Sequence, residues 1–120
     1  MLLPQPWHSL WLPVAAAHPG SSSAAATAGG DLSGKTVVFI PKLTGNAFFE
    51  SANNGAQKYS KDWGFTVDYQ GSPNAAVADE VQVVNNAVAS GADAICISSV
   101  DATGLDDALK SAIEQGMTVC

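Results

Sequence analysis

The stretch at residues 36–49, TVVFIPKLTGNAFF, decides the fold of this chain. It begins with the apolar run VVFI, and Pro41 ends that run because proline has no amide hydrogen for a sheet ladder. The polar loop KLTGN at 42–46 follows and leads into a helical pattern. A buried strand that runs into a polar loop at a helix N-terminus is where open α/β sheets bind ligands. The stretch therefore predicts a small-molecule binding loop.

From residue 35 onward the chain alternates between strand and helix patterns. We predict strands at 36–40, 65–69 and 92–99 and from 117 onward, and helices at 47–63, 77–90 and 104–115. Gly64, Gly91 and Gly116 each end a helix, because glycine adopts the left-handed conformation without a Cβ penalty, and a strand follows each of them at once. This order, βαβαβαβ with right-handed crossovers, predicts an α/β fold in three layers around a parallel sheet.

Helical periodicity predicts which residues face the core. The inward residues are Phe49, Ala52, Ala56, Tyr59 and Trp63 in the first helix, Val77, Val81, Val84 and Val88 in the second, and Leu105, Leu109, Ala112 and Ile113 in the third. Thr103 and Asp106 have the spacing of a capping box at the start of the third helix. The carboxylates of Asp79 and Glu80 are predicted to complement the dipole of the second helix.

Composition narrows the class of protein. A chain of 120 residues holds one small domain, and its net charge is −6 with no arginine and five scattered lysines. This pattern argues against nucleic-acid binding, which needs a basic stripe. Cys96 and Cys120 lie in apolar runs without metal-ligand spacing, so two buried free thiols are favoured over a disulfide.

The first part of the chain differs from the rest, and we divide the chain into residues 1–34 and 35–120. The segment LWLPVAAA at 10–17 is too short to span a membrane; it fits the hydrophobic region of an export signal, although a positive n-region is missing. A mis-assigned start or an unstructured leader is the equally open alternative. Residues 21–30, SSSAAATAGG, read as a flexible tether of the kind found in lipoproteins, but no cysteine precedes Ser21.

Enzymatic function finds little support in the sequence. The first loop has neither G-x-G-x-x-G nor G-x-x-x-x-G-K-[ST], and the chain contains no G-x-S-x-G motif. The part of the chain predicted to fold contains no histidine that would act as a base near neutral pH. We therefore predict a protein that is not an enzyme and that uses no cofactor and no metal. A flavodoxin-like enzyme remains a distant alternative.

Four residues of the first loop and helix are candidate ligand contacts. Lys42 follows a buried strand and can donate to a hydroxyl or carbonyl oxygen. Asn46 suits polyol binding and equally suits the N-cap of the helix. Of Phe48 and Phe49, one can pack inward while the other stacks on a sugar ring, with both in the core as the alternative. Asp101, after the third strand, is interpreted as a helix cap rather than a ligand contact.

The segment at 36–71, TVVFIPKLTGNAFFESANNGAQKYSKDWGFTVDYQG, and the segment at 78–120 together resemble the first lobe of type I periplasmic sugar-binding proteins. The combination FIPKLTGNAFF with NGAQ is most similar to the branch that binds autoinducer-2 or rhamnose. The resemblance implies an extracytoplasmic protein, on the cell surface or in the periplasm, that delivers a sugar or furanosyl signal to an ABC-importer permease. It also implies that Lys42 and Asn46 contact the ligand, and that at least one ring of the pair Phe48 and Phe49 packs on it.

The resemblance covers residues 35–120, which correspond to a partial first lobe. Proteins of this family close two lobes on a ligand, so we do not expect this chain alone to bind sugars tightly. The alternative is the ligand-sensing core of a sugar-responsive transcription regulator, which shares the fold. Such a regulator needs a DNA-binding helix-turn-helix ahead of the core, and the uncharged first thirty residues do not encode one.

Overall fold

The computed structural model describes residues 31–120, so the predicted leader and the predicted tether at 21–30 lie outside the described residues. Seven elements follow one another: β1 Thr36–Ile40, α1 Ala47–Trp63, β2 Thr66–Tyr69, α2 Val77–Ala89, β3 Ala94–Ile97, α3 Asp106–Glu114 and β4 Thr118–Val119. All strand pairs are parallel and the sheet order is β2-β1-β3-β4. The predicted α/β class, element order and parallel sheet are confirmed.

Alternating residues of the strands face two different layers of helices. Val38, Ile40 and Ile95 point to the side covered by α2 and α3, where they are fully buried together with Val84 and Ala112. Their neighbours along the strands line the α1 side. Helices therefore pack on both faces of the sheet, which explains why β1 reads as a continuous apolar run.

The strand order shows where the crevice at the edge of the sheet lies. β1 lies between β2 and β3, and the chain leaves β1 for α1 on one face but reaches β3 through α2 on the other. The sheet therefore has its topological switch point between the carboxyl ends of β1 and β3, which is where open α/β sheets bind ligands.

Helix α1 has the predicted bounds, but its inward face is rotated from the predicted one. Tyr59 is 62% exposed and Trp63 is 45% exposed, so their assignment to the core is wrong. The helix lies over the edge strand β2 instead: Gln57 Nε2 donates to the Val67 carbonyl at 3.0 Å, and Ser60 is buried. A polar contact to an edge strand has no signature in hydrophobic periodicity.

The start of α3 also differs from the prediction. The helix begins at Asp106, and the preceding Leu105 has no side chain that can cap it. The predicted capping box does not form; the Asp106 amide donates to the Thr103 carbonyl instead. Leu105 is 2% exposed, so its burial displaces the cap and fixes the start of the helix. Ile113, predicted to face inward, is 56% exposed.

The two cysteines occupy neighbouring positions on β3 and after β4. The Cys120 amide donates to Ile95 and the Cys120 carbonyl accepts from Ile97, which sets Cys120 beside Cys96. Both thiols are free, as predicted, but neither is fully buried: Cys96 is half-buried and Cys120 is exposed. Burial, together with the neighbouring Cys120 thiol, raises the pKa of Cys96 to about 11, so this thiol is protonated at neutral pH.

Candidate ligand-binding edge

Three loops meet at the carboxyl edge of the sheet: residues 41–46 after β1, 70–76 after β2 and 98–105 after β3. The Thr44 amide donates to the Ser72 carbonyl at 2.9 Å, which joins the first two loops. The Ser98 amide donates to Ile40 at 2.9 Å, which continues the pairing of β3 with β1 to the edge. We call these three loops the ligand edge.

Lys42 lies at the centre of the ligand edge. The preceding Pro41 is fully buried, so the chain turns outward directly after the strand and leaves the Lys42 side chain exposed. Its position beside the switch point between β1 and β3 agrees with the sequence-based prediction. A contact between Lys42 and a ligand stays a prediction.

Asn46 caps helix α1. Its Oδ1 accepts from the Phe48 amide at 2.9 Å, and its backbone is extended as an N-cap requires. The carboxylate of Glu50 reinforces this turn by accepting from the Gly45 amide at 3.2 Å and from the Tyr69 hydroxyl at 3.1 Å. The capping role is thus observed, while the amide nitrogen of Asn46 still has the chemistry of a donor to sugar hydroxyls.

Phe48 and Phe49 face different environments. Phe48 is 74% exposed, whereas Phe49 is half-buried and meets the Phe48 ring edge-on at a centroid distance of 5.2 Å. The alternative in which both rings join the core is therefore wrong. An exposed ring held edge-to-face by a second ring provides an apolar surface of the kind that stacks on sugars.

Asp101 organises the loop after β3. Its Oδ1 accepts from the amides of Thr103 and Gly104 at 3.0 Å and 2.7 Å, and these bonds lower its pKa. The residue therefore stabilises a turn ahead of α3, but it is not the N-cap of that helix. Its charge is already satisfied by backbone donors, which favours the structural role.

Glu80 is a residue of this edge that the sequence-based reasoning did not include among the candidate site residues. It was predicted to complement the dipole of α2, but it is only 5% exposed and turns inward. Its Oε2 accepts from the Val100 amide at 2.8 Å, which ties α2 to the loop after β3. An acidic residue in a first helical turn is usually solvated, so no local pattern distinguishes this one.

Gly71 allows the first two loops to approach each other. A Cβ at this position would lie 3.0 Å from the Thr44 methyl and 3.1 Å from the Pro41 ring. We expect Gly71→Ala to lower the free energy of unfolding by about 1–2 kcal/mol, because the buried proline ring is rigid and the backbone must shift. Urea unfolding followed by circular dichroism measures the change.

Gly55→Ala is the matched control for this glycine. Gly55 lies within α1 with open space around its Cα, so alanine there should raise stability by about 0.8 kcal/mol through helix propensity. Two substitutions of the same kind are thus expected to act with opposite sign. Equal effects at both positions would show that crowding at Gly71 does not limit the approach of the loops.

An apolar groove lies away from the ligand edge. It measures about 400 Å³ on the α1 side of the sheet and is lined by Val37, Phe39, Ala52, Ala56, Phe65, Val67, Cys96 and Cys120. Its walls are almost purely apolar and lack the polar groups that orient a small ligand. Within residues 31–120, no three acidic, histidine or cysteine side chains cluster as a metal site would require, and no helix is both long and apolar enough for a bilayer.

The chain forms a doubly wound parallel sheet with polar loops at its switch point and an exposed lysine and an exposed aromatic ring beside them. These features are those of a ligand-binding α/β domain. The model for the periplasmic binding protein domain matches residues 37–120, and the chain belongs to this family. The family is one of solute-binding proteins.

Three relatives illustrate the family. The chain is 67% identical to LsrB from Clostridium saccharobutylicum in complex with AI-2, with a TM-score of 0.69 over 70% of this chain and 26% of that one. It is 29% identical to an ABC transporter solute-binding protein from Clostridium phytofermentas with bound L-rhamnose, with a TM-score of 0.68 over 71% and 26%. It is 33% identical to the fructose import binding protein FruE of Bifidobacterium longum, over 88% of this chain and 32% of that protein.

These relatives are considerably longer than this chain. The chain spans about a third of FruE and about a quarter of the two solved structures. The shared part includes all of the ligand edge described above, since the family match begins at Val37.

Proposed function

We propose that this chain is part of the substrate-binding component of an ABC importer for a sugar or a furanosyl signal such as AI-2 or rhamnose. The observation that carries the proposal is the 67% identity to LsrB, which was solved in complex with AI-2. The bound L-rhamnose in the more distant relative supports the same class of ligand. The partner is then a membrane permease, and the protein acts outside the cytoplasm, with residues 1–34 as leader and tether.

The chemistry of the ligand edge supports a polyhydroxylated ligand. Lys42 supplies up to three donors for ring and hydroxyl oxygens, and the Asn46 amide adds a donor next to the N-terminus of α1. The exposed Phe48 ring offers its face to the apolar side of a sugar, with Phe49 supporting it from the edge. Neither a cofactor nor a metal has a part in this binding.

Nitrogen-15 NMR spectra of the chain, titrated with AI-2, L-rhamnose and fructose, test the proposal. We expect weak binding with a Kd on the order of 1 mM, because one lobe contacts only one side of a ligand. The amides of residues 42–49 and 98–104 should shift, while those around Asp93 at the opposite edge should stay in place. Absence of any shift at about 10 mM of each sugar, a concentration that nearly saturates such a site, would refute the proposed ligand class.

A further inference from the structure

Glu80 carries an unpaired oxygen in the interior of the ligand edge. Its Oε2 is held by the Val100 amide at 2.8 Å, but its Oε1 is buried and has no hydrogen-bond partner within residues 31–120. A buried carboxylate oxygen without a donor is destabilising, and buried polar groups in native proteins are nearly always paired. The second oxygen therefore marks a place where a donor belongs in the functional state.

Lys42 lies at the same edge and carries the charge that opposes the effect of burial on Glu80, but the two residues form no ion pair in the part of the chain that the structure describes. Burial raises the pKa of Glu80, and the Val100 amide and the Lys42 ammonium oppose that rise. Lys42 extends from the loop after β1, whereas Glu80 approaches from α2. An ammonium on a flexible four-carbon stem can move between solvent and an internal acceptor.

Three other carboxylates near this edge, those of Glu50, Asp79 and Asp101, already have donors. Asp79, next to Glu80 on α2, accepts from the Ser72 hydroxyl at 2.7 Å. Asp101 in the loop after β3 accepts from the backbone of its own turn. Among the described acidic groups at this edge, Glu80 is thus the one that presents a buried acceptor without a donor.

We propose that Glu80 is a positioning residue of the ligand edge. Its Oε2 anchors the loop after β3. Its Oε1 accepts a hydrogen bond from the Lys42 ammonium when a bound sugar displaces water from Lys42. This role rests on the proposed function and extends it. A sugar that covers Lys42 removes part of its hydration, so the ammonium needs an internal acceptor to remain charged and aimed at the ligand. Ligand binding would thereby connect the loops after β1 and β3.

The pairing requires Lys42 to be close enough to influence Glu80 before ligand binds, and this coupling can be tested without ligand by following the Glu80 carboxyl carbon in NMR pH titrations. In Lys42→Gln the pKa of Glu80 should rise further above its ordinary value, because the ammonium that opposes the effect of burial is gone. Lys58→Gln is the control, since Lys58 lies exposed on α1 at the other face of the sheet. An unchanged Glu80 titration in Lys42→Gln would overturn the pairing.

The positioning role is tested with AI-2 and L-rhamnose as probes of Glu80→Gln. Glutamine keeps an acceptor for the Val100 amide but replaces the free oxygen by an NH₂ donor that repels Lys42. We expect about tenfold weaker binding with the Val100 amide still protected from hydrogen exchange, and no change in the exposed control Glu114→Gln. Equal affinity of wild type and Glu80→Gln would overturn the role of Glu80 alone. Absence of sugar binding by the wild type would overturn the proposed function together with it.

Discussion

Replacing Ile95 with alanine is expected to lower the free energy of unfolding by about 3–4 kcal/mol. Ile95 is fully buried at the centre of β3, between β1 and β4 in the sheet and under the core side chains of α2 and α3. The substitution removes methyl and methylene groups from a site that rigid strands on both sides cannot collapse to fill. Such a loss is a large part of the total stability of a small domain, about 5–15 kcal/mol. Urea unfolding followed by circular dichroism gives the difference in free energy.

Ile113→Ala provides a matched control for this core substitution. The same side chain is 56% exposed near the end of α3, so its truncation should change stability by less than about 0.5 kcal/mol. Alanine also has the higher helix propensity, which offsets part of the lost contact. Similar losses at the two positions would contradict the assignment of the core to the α2 and α3 side of the sheet.

Replacing Lys42 with alanine is expected to weaken the binding of AI-2 or L-rhamnose at least tenfold. A hydrogen bond from a charged donor contributes about 1.5–3 kcal/mol, which corresponds to a factor of about 10 to 150 in affinity. Lys42 is exposed and follows a buried strand, so its removal should leave stability nearly unchanged. The ratio of dissociation constants, obtained from amide shifts in NMR titrations, measures the effect.

Lys58→Ala separates a local contact from a general effect of charge. Both substitutions change the net charge of the chain by the same amount, but Lys58 lies on α1 away from the loops of the ligand edge. Long-range attraction between a neutral sugar and the protein is negligible, so this variant should bind as the wild type does. Unaltered affinity in Lys42→Ala would remove Lys42 from the site and leave Asn46 and the phenylalanine pair as its candidates.

The sequence by itself determined the architecture of this protein. The apolar run before Pro41 and the glycines that end the helices specify the alternation of strand and helix, and short crossovers of this kind lead to a parallel sheet. The bounds of α1 followed from Asn46 and Gly64, whose side chain and left-handed backbone are local determinants. Lys42 was placed at the ligand edge for the same reason, because it directly follows the end of a strand.

The tertiary structure alone decided which side chains leave or enter the interior. Tyr59 and Trp63 have the spacing of a core face, yet α1 docks over the edge strand β2 and leaves them exposed. Glu80 has the position of a solvated helix residue, yet the Val100 amide, twenty residues away, draws it inside. Hydrophobic periodicity indicates only which face of a single helix or strand is apolar. Whether a side chain is buried depends on which other elements pack against that face. A polar partner from another loop therefore becomes visible only in three dimensions.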